Sequence, residues 1–412
     1  MTIAEPTVFT LDNGMKVVYL YDDAAVAHLG VTILAGSRYE EEGEEGLAHF
    51  LEHCIFKGTH NRKAFHILSR LDSVGGELNA YTTKEEICIY ASFANPHFSR
   101  ASELLADITF NSTFPEKELI KEKEIILDEI NSYLDSPSDR IFDDFEAHFF
   151  KNHSLGNNIL GTKESVASFT KEHLLGYVDK FFYPENMVLS FVGNYSEKKV
   201  FNRLNKDFGQ FIKEREKREP SPFNKYNAFK ITEKEANYQT HIIIGGMGPG
   251  YGDADRRVMT LLVNILGGPA LNSRLILSVR EKYGYSYSVE ANYTPYQGVG
   301  YWSIYAGTDE RYTKKTLKLI HKELESFRTK LLSENQLKKA KTQLKGHIAL
   351  GMDSNSSLML NYGKTYLIFN QIDTLTEIHE AIDEITAEEI LAVAQKYFSP
   401  ESISELVFDV KE

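Results

Sequence analysis

The chain has 412 residues, 42% of them hydrophobic and 25% charged, and carries a formal net charge of −13. This length exceeds what one ordinary hydrophobic core supports, so we expect at least two domains. The acidic balance argues against a nucleic-acid-binding protein, and no apolar run is long enough for a membrane span. Only two cysteines are present, Cys54 and Cys88, and no secretory or mitochondrial leader pattern is visible, so we expect a cytoplasmic protein.

The first elements are strands followed by an acidic loop. Residues 7–20 read as two short strands around the turn pair Asn13-Gly14, and residues 29–35 (LGVTILA) as a buried strand. The segment EEEGEEG at 40–46 is acidic. It is interpreted as a solvated loop, with acids that suit the dipole of a following helix, or as a surface that attracts basic peptide.

The segment GLAHFLEHCIFKG at 46–58 has the strongest chemical signal in the chain. His49 and His53 are four residues apart, so on a helix both imidazoles share a face and can hold one metal ion. Glu52 lies beside them, which gives the order H-x-x-E-H of a metallopeptidase motif. Random placement would give about 0.06 such patterns in a chain of this composition. The alternative is a pair of surface histidines on an amphipathic helix.

The next elements offer a third ligand. Residues 64–73 have helical apolar spacing, residues 78–93 alternate like a strand, and residues 98–110 and 115–134 read as helices. Glu122 and Glu129 are seven residues apart in the last of these, two helical turns, and therefore on one face. A charge-rich helix usually presents only a solvated face, but a zinc site would need one more protein ligand.

The chain contains an internal repeat. Residues 166–186 and 382–402 match at a constant offset, with Thr170 and Thr386 and the pattern K-[FY]-F-x-P-E in common. The segment equivalent to the H-x-x-E-H helix is DRRVMTLLVNILGG at 255–268, which has neither His nor Glu. We therefore predict a metal-binding domain at 1–216, a linker at 217–228 and a metal-free homologous domain at 229–412.

These features together resemble the M16 metallopeptidases, which include pitrilysin, insulin-degrading enzyme and the mitochondrial processing peptidase. The resemblance covers essentially the whole chain. Four segments look like family segments in the family's order: FLEHCIFKGT (50–59), GGELNAYTTKE (75–85), EKEIILDEI (122–130) and HSLGNNILGT (153–162). The resemblance implies an α+β fold of two homologous tandem domains, each a mostly antiparallel sheet packed by helices. The length is similar to that of the short, two-domain branch.

The resemblance also implies roles for residues of the first half. His49, His53 and Glu129 would bind one Zn²⁺ per chain, and Glu52 would be the catalytic base. Glu122 would be a supporting glutamate near the ligands; the alternative is an exposed helix acid. Asn79 and Ala80 fall where the family has the edge strand to which a substrate peptide is added.

In the second half, VREKYGYSYSV at 279–289 resembles the family's Arg/Tyr motif, with Arg280 and Tyr287 as candidate contacts to the substrate carbonyl. Tyr283 and Tyr285 leave the choice of tyrosine open. The alternative is a strand of packed tyrosines without a catalytic role.

The function implied is that of a zinc-dependent endopeptidase that hydrolyses oligopeptides or unfolded segments inside an enclosed chamber. Family members of full length join four domains, so we expect a homodimer here, with a heterodimer as the alternative. Two other functions stay open: a non-catalytic M16-like scaffold, core or partner subunit, and a zinc-binding regulatory protein. We expect a self-sufficient enzyme, because the zinc set and the Arg/Tyr set lie in one chain.

Overall fold

The structure is a computed structural model that describes residues 5–215 and 218–411. The chain forms two compact units. The first unit comprises Met1–Asn131, Asn157–Pro220 and Leu350–Thr374, and the second comprises Ser132–Gly156, Ser221–Ala349 and Leu375–Glu412. Among the described residues, none of the helices combines the length and the apolar content needed to cross a bilayer.

The described residues form eleven strands and fourteen α-helices. The strands are β1 (Thr7–Thr10), β2 (Lys16–Tyr21), β3 (Val26–Ile33), β4 (Glu77–Thr82), β5 (Ile87–Ala94), β6 (Met187–Gly193), β7 (Lys230–Glu235), β8 (Thr240–Gly248), β9 (Ser286–Tyr296), β10 (Val299–Thr308) and β11 (Ser404–Val410). The helices are α1 (Leu47–Cys54), α2 (Ala64–Asp72), α3 (Phe98–Asn111), α4 (Glu116–Leu134), α5 (Pro137–Phe149), α6 (Lys163–Ser168), α7 (Lys171–Phe181), α8 (Glu197–Asp207), α9 (Arg256–Gly267), α10 (Thr313–Thr329), α11 (Glu334–Gly351), α12 (Asn355–Phe369), α13 (Leu375–Glu384) and α14 (Ala387–Tyr397).

The sheet of the first unit has the order β1-β2-β6-β3-β5-β4. Only β2 and β6 are parallel; the other neighbours are antiparallel. Both faces of this sheet are covered, because the side chains of β2 alternate between two apolar clusters. Val17 and Tyr19 pack in the larger core with helices such as α1, α3 and α7, whereas Val18 and Leu20 pack against α12.

The close contact between α12 and the first sheet depends on two glycines. A Cβ atom on Gly30 would lie 2.5 Å from the sulfur of Met359, and one on Gly363 would lie 2.3 Å from Thr32 Oγ1. Any larger residue would therefore push this helix away from the sheet. This helix comes from the second half of the chain but completes the first unit.

The sheet of the second unit has the order β7-β11-β8-β10-β9, with β7 and β11 parallel. One face packs with α9, α10 and α14, and the other packs with α5, which comes from the first half of the chain. Gly245 makes this second contact close, since a Cβ there would lie 2.8 Å from the ring of Phe145 and 2.5 Å from the Trp302 carbonyl oxygen.

The two sheets share one topology, because β2, β6, β3, β5 and β4 correspond in order to β7, β11, β8, β10 and β9. This confirms the predicted fold class of two homologous, mostly antiparallel α+β domains. The predicted boundaries 1–216 and 229–412 follow the repeat. The compact units differ from them mainly by an exchange of two helices: α5, from the first half of the chain, belongs to the second unit, and α12, from the second half, belongs to the first. The two units part between Pro220 and Ser221, inside the predicted linker 217–228; residues 216 and 217 lie outside the described residues.

One strand prediction was wrong. Residues 78–93 form two antiparallel strands, β4 and β5, joined by a turn in which the Thr83 amide donates to the Glu86 carbonyl oxygen at 2.8 Å. The apolar alternation continues across this short turn, so the sequence pattern does not mark the break.

Candidate metal centre

Helix α1 carries the H-x-x-E-H motif against the edge of the first sheet. Its apolar side chains, among them Leu47, Phe50 and Leu51, are fully buried in the main core. Cys54 is buried with them, and burial raises the pKa of its thiol, so it is a core residue. The remaining face of α1 presents the two histidines.

The structure brings His49, His53 and Glu129 together, with one potential ligand atom of each within 4.8 Å of the others. The Nε2 atoms of His49 and His53 lie 3.9 Å and 3.6 Å from Glu129 Oε2. Tetrahedral zinc with bonds of about 2.0–2.2 Å separates neighbouring ligand atoms by about 3.3–3.5 Å. The two contacts to Glu129 are within about half an ångström of that spacing, and all three donors lie within 4.8 Å, so they fit zinc after the side chains close by up to about 1.4 Å.

The electrostatics of His49 also suit a metal. Burial, and then the neighbouring His53, lower the pKa of His49 to about 4. The imidazole is therefore neutral at physiological pH, as a metal ligand must be. Its buried Nδ1 atom has no hydrogen-bond partner among the residues that the structure describes, and its Nε2 atom faces Glu129.

Glu122 lies behind the cluster and not on an exposed helix face. Its side chain is only 5% exposed, and its Oε2 atom is 3.4 Å from Nδ1 of His53. Its other oxygen accepts from Lys57 Nζ at 2.7 Å. Carboxylates in this position fix the orientation of a ligating imidazole. Lys57 was not predicted, because it lies just beyond the end of α1, where helical spacing no longer indicates which residues are neighbours.

Glu52 is half-buried between α1 and the edge strand. Burial raises the pKa of its carboxyl, and Glu129 adds to this effect, while hydrogen bonds from the side chain and backbone of Thr82 act in the opposite direction. A carboxyl with a raised pKa next to a metal site is suited to accept and return a proton. Thr82, at the end of β4, was not predicted, because nothing in the local pattern indicates its proximity to Glu52.

Asn79 and Ala80 lie in β4, which is the last strand of the first sheet. Among the described strands, β4 pairs with β5 alone, so its other edge has backbone groups free of sheet partners. Helix α1 packs on this strand. The predicted edge strand and the predicted metal ligands are therefore neighbours within one unit.

Arg280 and Tyr287 lie in the second unit and form their own pair. Arg280 is in a π-helical turn, Ile276–Glu281, and its guanidinium carbon lies 4.8 Å from the centre of the Tyr287 ring. Tyr287 is on β9, the edge strand of the second sheet, and is 81% exposed. Both residues line a cavity of about 490 Å³. Tyr283 and Tyr285 instead stack on each other, with ring centres 5.3 Å apart.

Comparison with known proteins identifies the family. The model of the insulinase family (peptidase family M16) matches residues 16–163, and the model of the peptidase M16 inactive domain matches residues 168–344. The chain therefore belongs to peptidase family M16. It is 34% identical over 393 residues to the uncharacterized zinc protease YmxG of Bacillus subtilis, with 95% of each chain covered. An uncharacterized zinc protease of Rickettsia felis is 35% identical over 402 residues, with 96% of each chain covered.

Two solved structures share the fold. The peptidase M16 inactive domain from Pseudomonas fluorescens superposes with a TM-score of 0.92 at 19% identity, covering 99% of this chain and 98% of that one. A protease from Helicobacter pylori superposes with a TM-score of 0.90 at 21% identity, covering 99% of this chain and 100% of that one. Both confirm the architecture at low sequence identity.

Proposed function

We propose that this protein is a zinc-dependent endopeptidase that hydrolyses oligopeptides or unfolded segments. The observation that carries the proposal is the convergence of His49, His53 and Glu129 within 4.8 Å beside Glu52. Two imidazoles and one carboxylate are the ligand set of a catalytic zinc site, which keeps one position open.

Zinc held by these residues would supply Lewis acidity, which makes water a nucleophile at neutral pH and polarises a scissile carbonyl. Glu52 accepts the proton of the attacking water and returns it to the leaving amine. The raised pKa of Glu52 suits both steps, because a base that is too acidic would hold the proton weakly. Thr82, at the end of β4, lies next to this carboxyl and acts to lower its pKa.

The substrate would be held by backbone contacts. An extended peptide that adds to β4 at Asn79 and Ala80 pairs its own amides with the free strand edge, next to α1. Such binding makes modest demands on sequence, which suits unfolded or short substrates. Arg280 and Tyr287 would donate hydrogen bonds to the substrate carbonyl and stabilise the developing negative charge.

The chelation experiment tests the proposal directly. Purified protein is incubated with quenched fluorescent peptides, with and without chelator, and zinc is then added back. We expect cleavage that chelator abolishes and zinc restores. A zinc-loaded, folded protein that cleaves no peptide in a varied library would contradict the proposal and favour the non-catalytic scaffold.

Two variants separate the roles within the site. Glu52→Gln should keep zinc and lose turnover, whereas Glu129→Gln should lose zinc. Glu124→Gln is the matched control, since Glu124 is an exposed acid of the same helix. Wild-type rates in zinc-loaded Glu52→Gln would show that another group acts as the base.

We further propose a homodimer in which Arg280 and Tyr287 of one chain serve the zinc site of the other. Glu52→Gln and Arg280→Ala are each expected to be inactive as pure proteins. Mixed after dissociation and reassociation, they should recover about a quarter of wild-type activity, because half of the dimers are mixed and each has one complete site. No recovery from a demonstrably mixed population, or an active monomer, would contradict this arrangement.

A further inference from the structure

The N-terminus of α1 is capped by a residue that lies outside the helix. Gly46 precedes the helix with a φ of +90° and has no side chain to cap it. Glu40 supplies the acceptors instead: one oxygen accepts from the Gly46 amide at 3.0 Å and the other from the Ala48 amide at 2.8 Å. Glu40 is only 7% exposed, so water does not replace these bonds readily.

The capped turn contains a metal ligand. Helix α1 begins at Leu47, which makes His49 its third residue and places it in the first turn. First-turn amides have no carbonyl partners within the helix, so this turn frays when its cap is lost. Fraying would displace His49 directly, whereas His53 lies one turn further along and would be affected less.

Arg38, two residues before Glu40, is fixed to the segment that follows the edge strand. The Arg38 amide donates to the Lys84 carbonyl oxygen at 2.8 Å, and the Arg38 guanidinium pairs with Glu85 in a buried ion pair. Residues 83–85 directly follow β4. One short segment therefore connects the first turn of α1 to the end of the strand on which Asn79 and Ala80 lie.

We propose that Glu40 is a positioning residue, which holds the first turn of α1 against β4 so that His49 lies in register with Glu129 and the peptide edge. The expected effect of Glu40 on peptide hydrolysis rests on the proposed function. The expected effect of Glu40 on zinc binding does not.

The test compares Glu40→Gln with the wild-type protein and with Glu42→Gln. Glu42 is an exposed acid of the same loop, so its variant makes the same change from a carboxyl to a carboxamide at an exposed position. Zinc affinity is measured by chelator competition, and the visible spectrum of the cobalt(II) form reports the ligand geometry. Both are recorded at a temperature at which circular dichroism shows each protein fully folded.

We expect Glu40→Gln to bind zinc about 10–100-fold more weakly and to change the cobalt(II) spectrum, as substitutions that support metal ligands do. The side-chain carboxamide oxygen of the variant can accept from one of the two backbone N–H groups. Its NH₂ group is a donor and then faces the other N–H group, which is also a donor. When saturated with zinc, the variant should lose kcat more than it raises KM. Glu42→Gln should match the wild type in each measurement.

A second variant and one wild-type measurement cover the case in which Glu40→Gln does not fold. Glu40→Asp keeps the carboxyl group but is one methylene shorter, so we expect it to lose one of the two bonds and to give an intermediate zinc affinity. In the wild-type protein, the Gly46 and Ala48 amides should be protected from hydrogen exchange. Wild-type zinc affinity and spectrum in a folded Glu40 variant, or rapid exchange of both amides, would overturn the proposal, with or without peptidase activity.

Discussion

The contact between Glu122 and His53 predicts that zinc affinity and stability can be separated by mutation. Glu122 uses one oxygen for His53 Nδ1 at 3.4 Å and the other for Lys57 Nζ at 2.7 Å. Glu122→Gln removes the charge that orients His53 and also leaves the Lys57 ammonium without its carboxylate. Lys57→Met removes only the second contact.

The two contacts of Glu122 determine the expected losses of zinc affinity and of stability. Loss of a carboxylate behind a ligating imidazole weakens metal binding about 10–100-fold, or about 1.4–2.7 kcal/mol. A hydrogen bond to a charged group contributes about 1.5–3 kcal/mol, and because Lys57 is 25% exposed, water recovers part of it. We therefore expect the zinc-free Glu122→Gln protein to lose about 1–2 kcal/mol of stability.

The assay combines chelator competition with urea unfolding of the zinc-free proteins. The double variant Glu122→Gln/Lys57→Met should recover part of the stability that Glu122→Gln loses, since no ammonium is left unpaired, but should bind zinc as weakly as the single variant. Wild-type zinc affinity in Glu122→Gln would refute the role assigned to this carboxylate. Recovery of zinc affinity in the double variant would show that Glu122→Gln weakens zinc binding through the unpaired Lys57 ammonium and not through the lost contact to His53.

Three further outcomes are expected. The folded protein holds the pKa of His49 at about 4, below the usual 6.5, so the unfolded chain takes up a proton first as the pH falls. Between pH 6.5 and 4, the free energy of unfolding of the zinc-free wild type should therefore fall by up to about 3 kcal/mol relative to His49→Gln, measured by urea unfolding. Gly245→Ala should cost about 1–3 kcal/mol of stability, measured from the thermal midpoint, because the new methyl group meets the Phe145 ring and a backbone carbonyl. Tyr287→Phe should lower kcat about 100-fold, whereas Tyr283→Phe, whose ring stacks elsewhere, should leave it within a few-fold; equal effects would contradict the choice of tyrosine.

Local spacing was sufficient to predict which side chains of the candidate metal centre lie close together. The i, i+4 relation of His49 and His53 holds on any helix, and the seven-residue relation of Glu122 and Glu129 places both acids on one face of α4. The repeat predicted that the two halves share a fold, and the sheets have the same strand order. These features could be read from the sequence because each depends on one element or on a comparison of two segments.

Contacts between distant segments could not be predicted in this way. The packing of α12 on the first sheet and of α5 on the second joins segments far apart in the sequence, so no local pattern indicated it. Glu40 looked like one acid among several in a solvated loop, and only the folded chain places its carboxylate under the Gly46 and Ala48 amides. The proximity of Thr82 to Glu52 likewise depends on how α1 packs on β4.

The exchange of helices has a consequence for how the protein is made. One face of the first sheet is covered by α12, so Gly30 and the apolar residues around it stay open to water until residue 369 has left the ribosome. The part of the chain with the metal ligands is synthesised early, yet its fold is completed late. A nascent chain that stops before α12 would therefore expose the apolar surface of β2 and β6 that this helix covers, so the side chains of the candidate metal centre lie on a completed fold only after α12 has been synthesised.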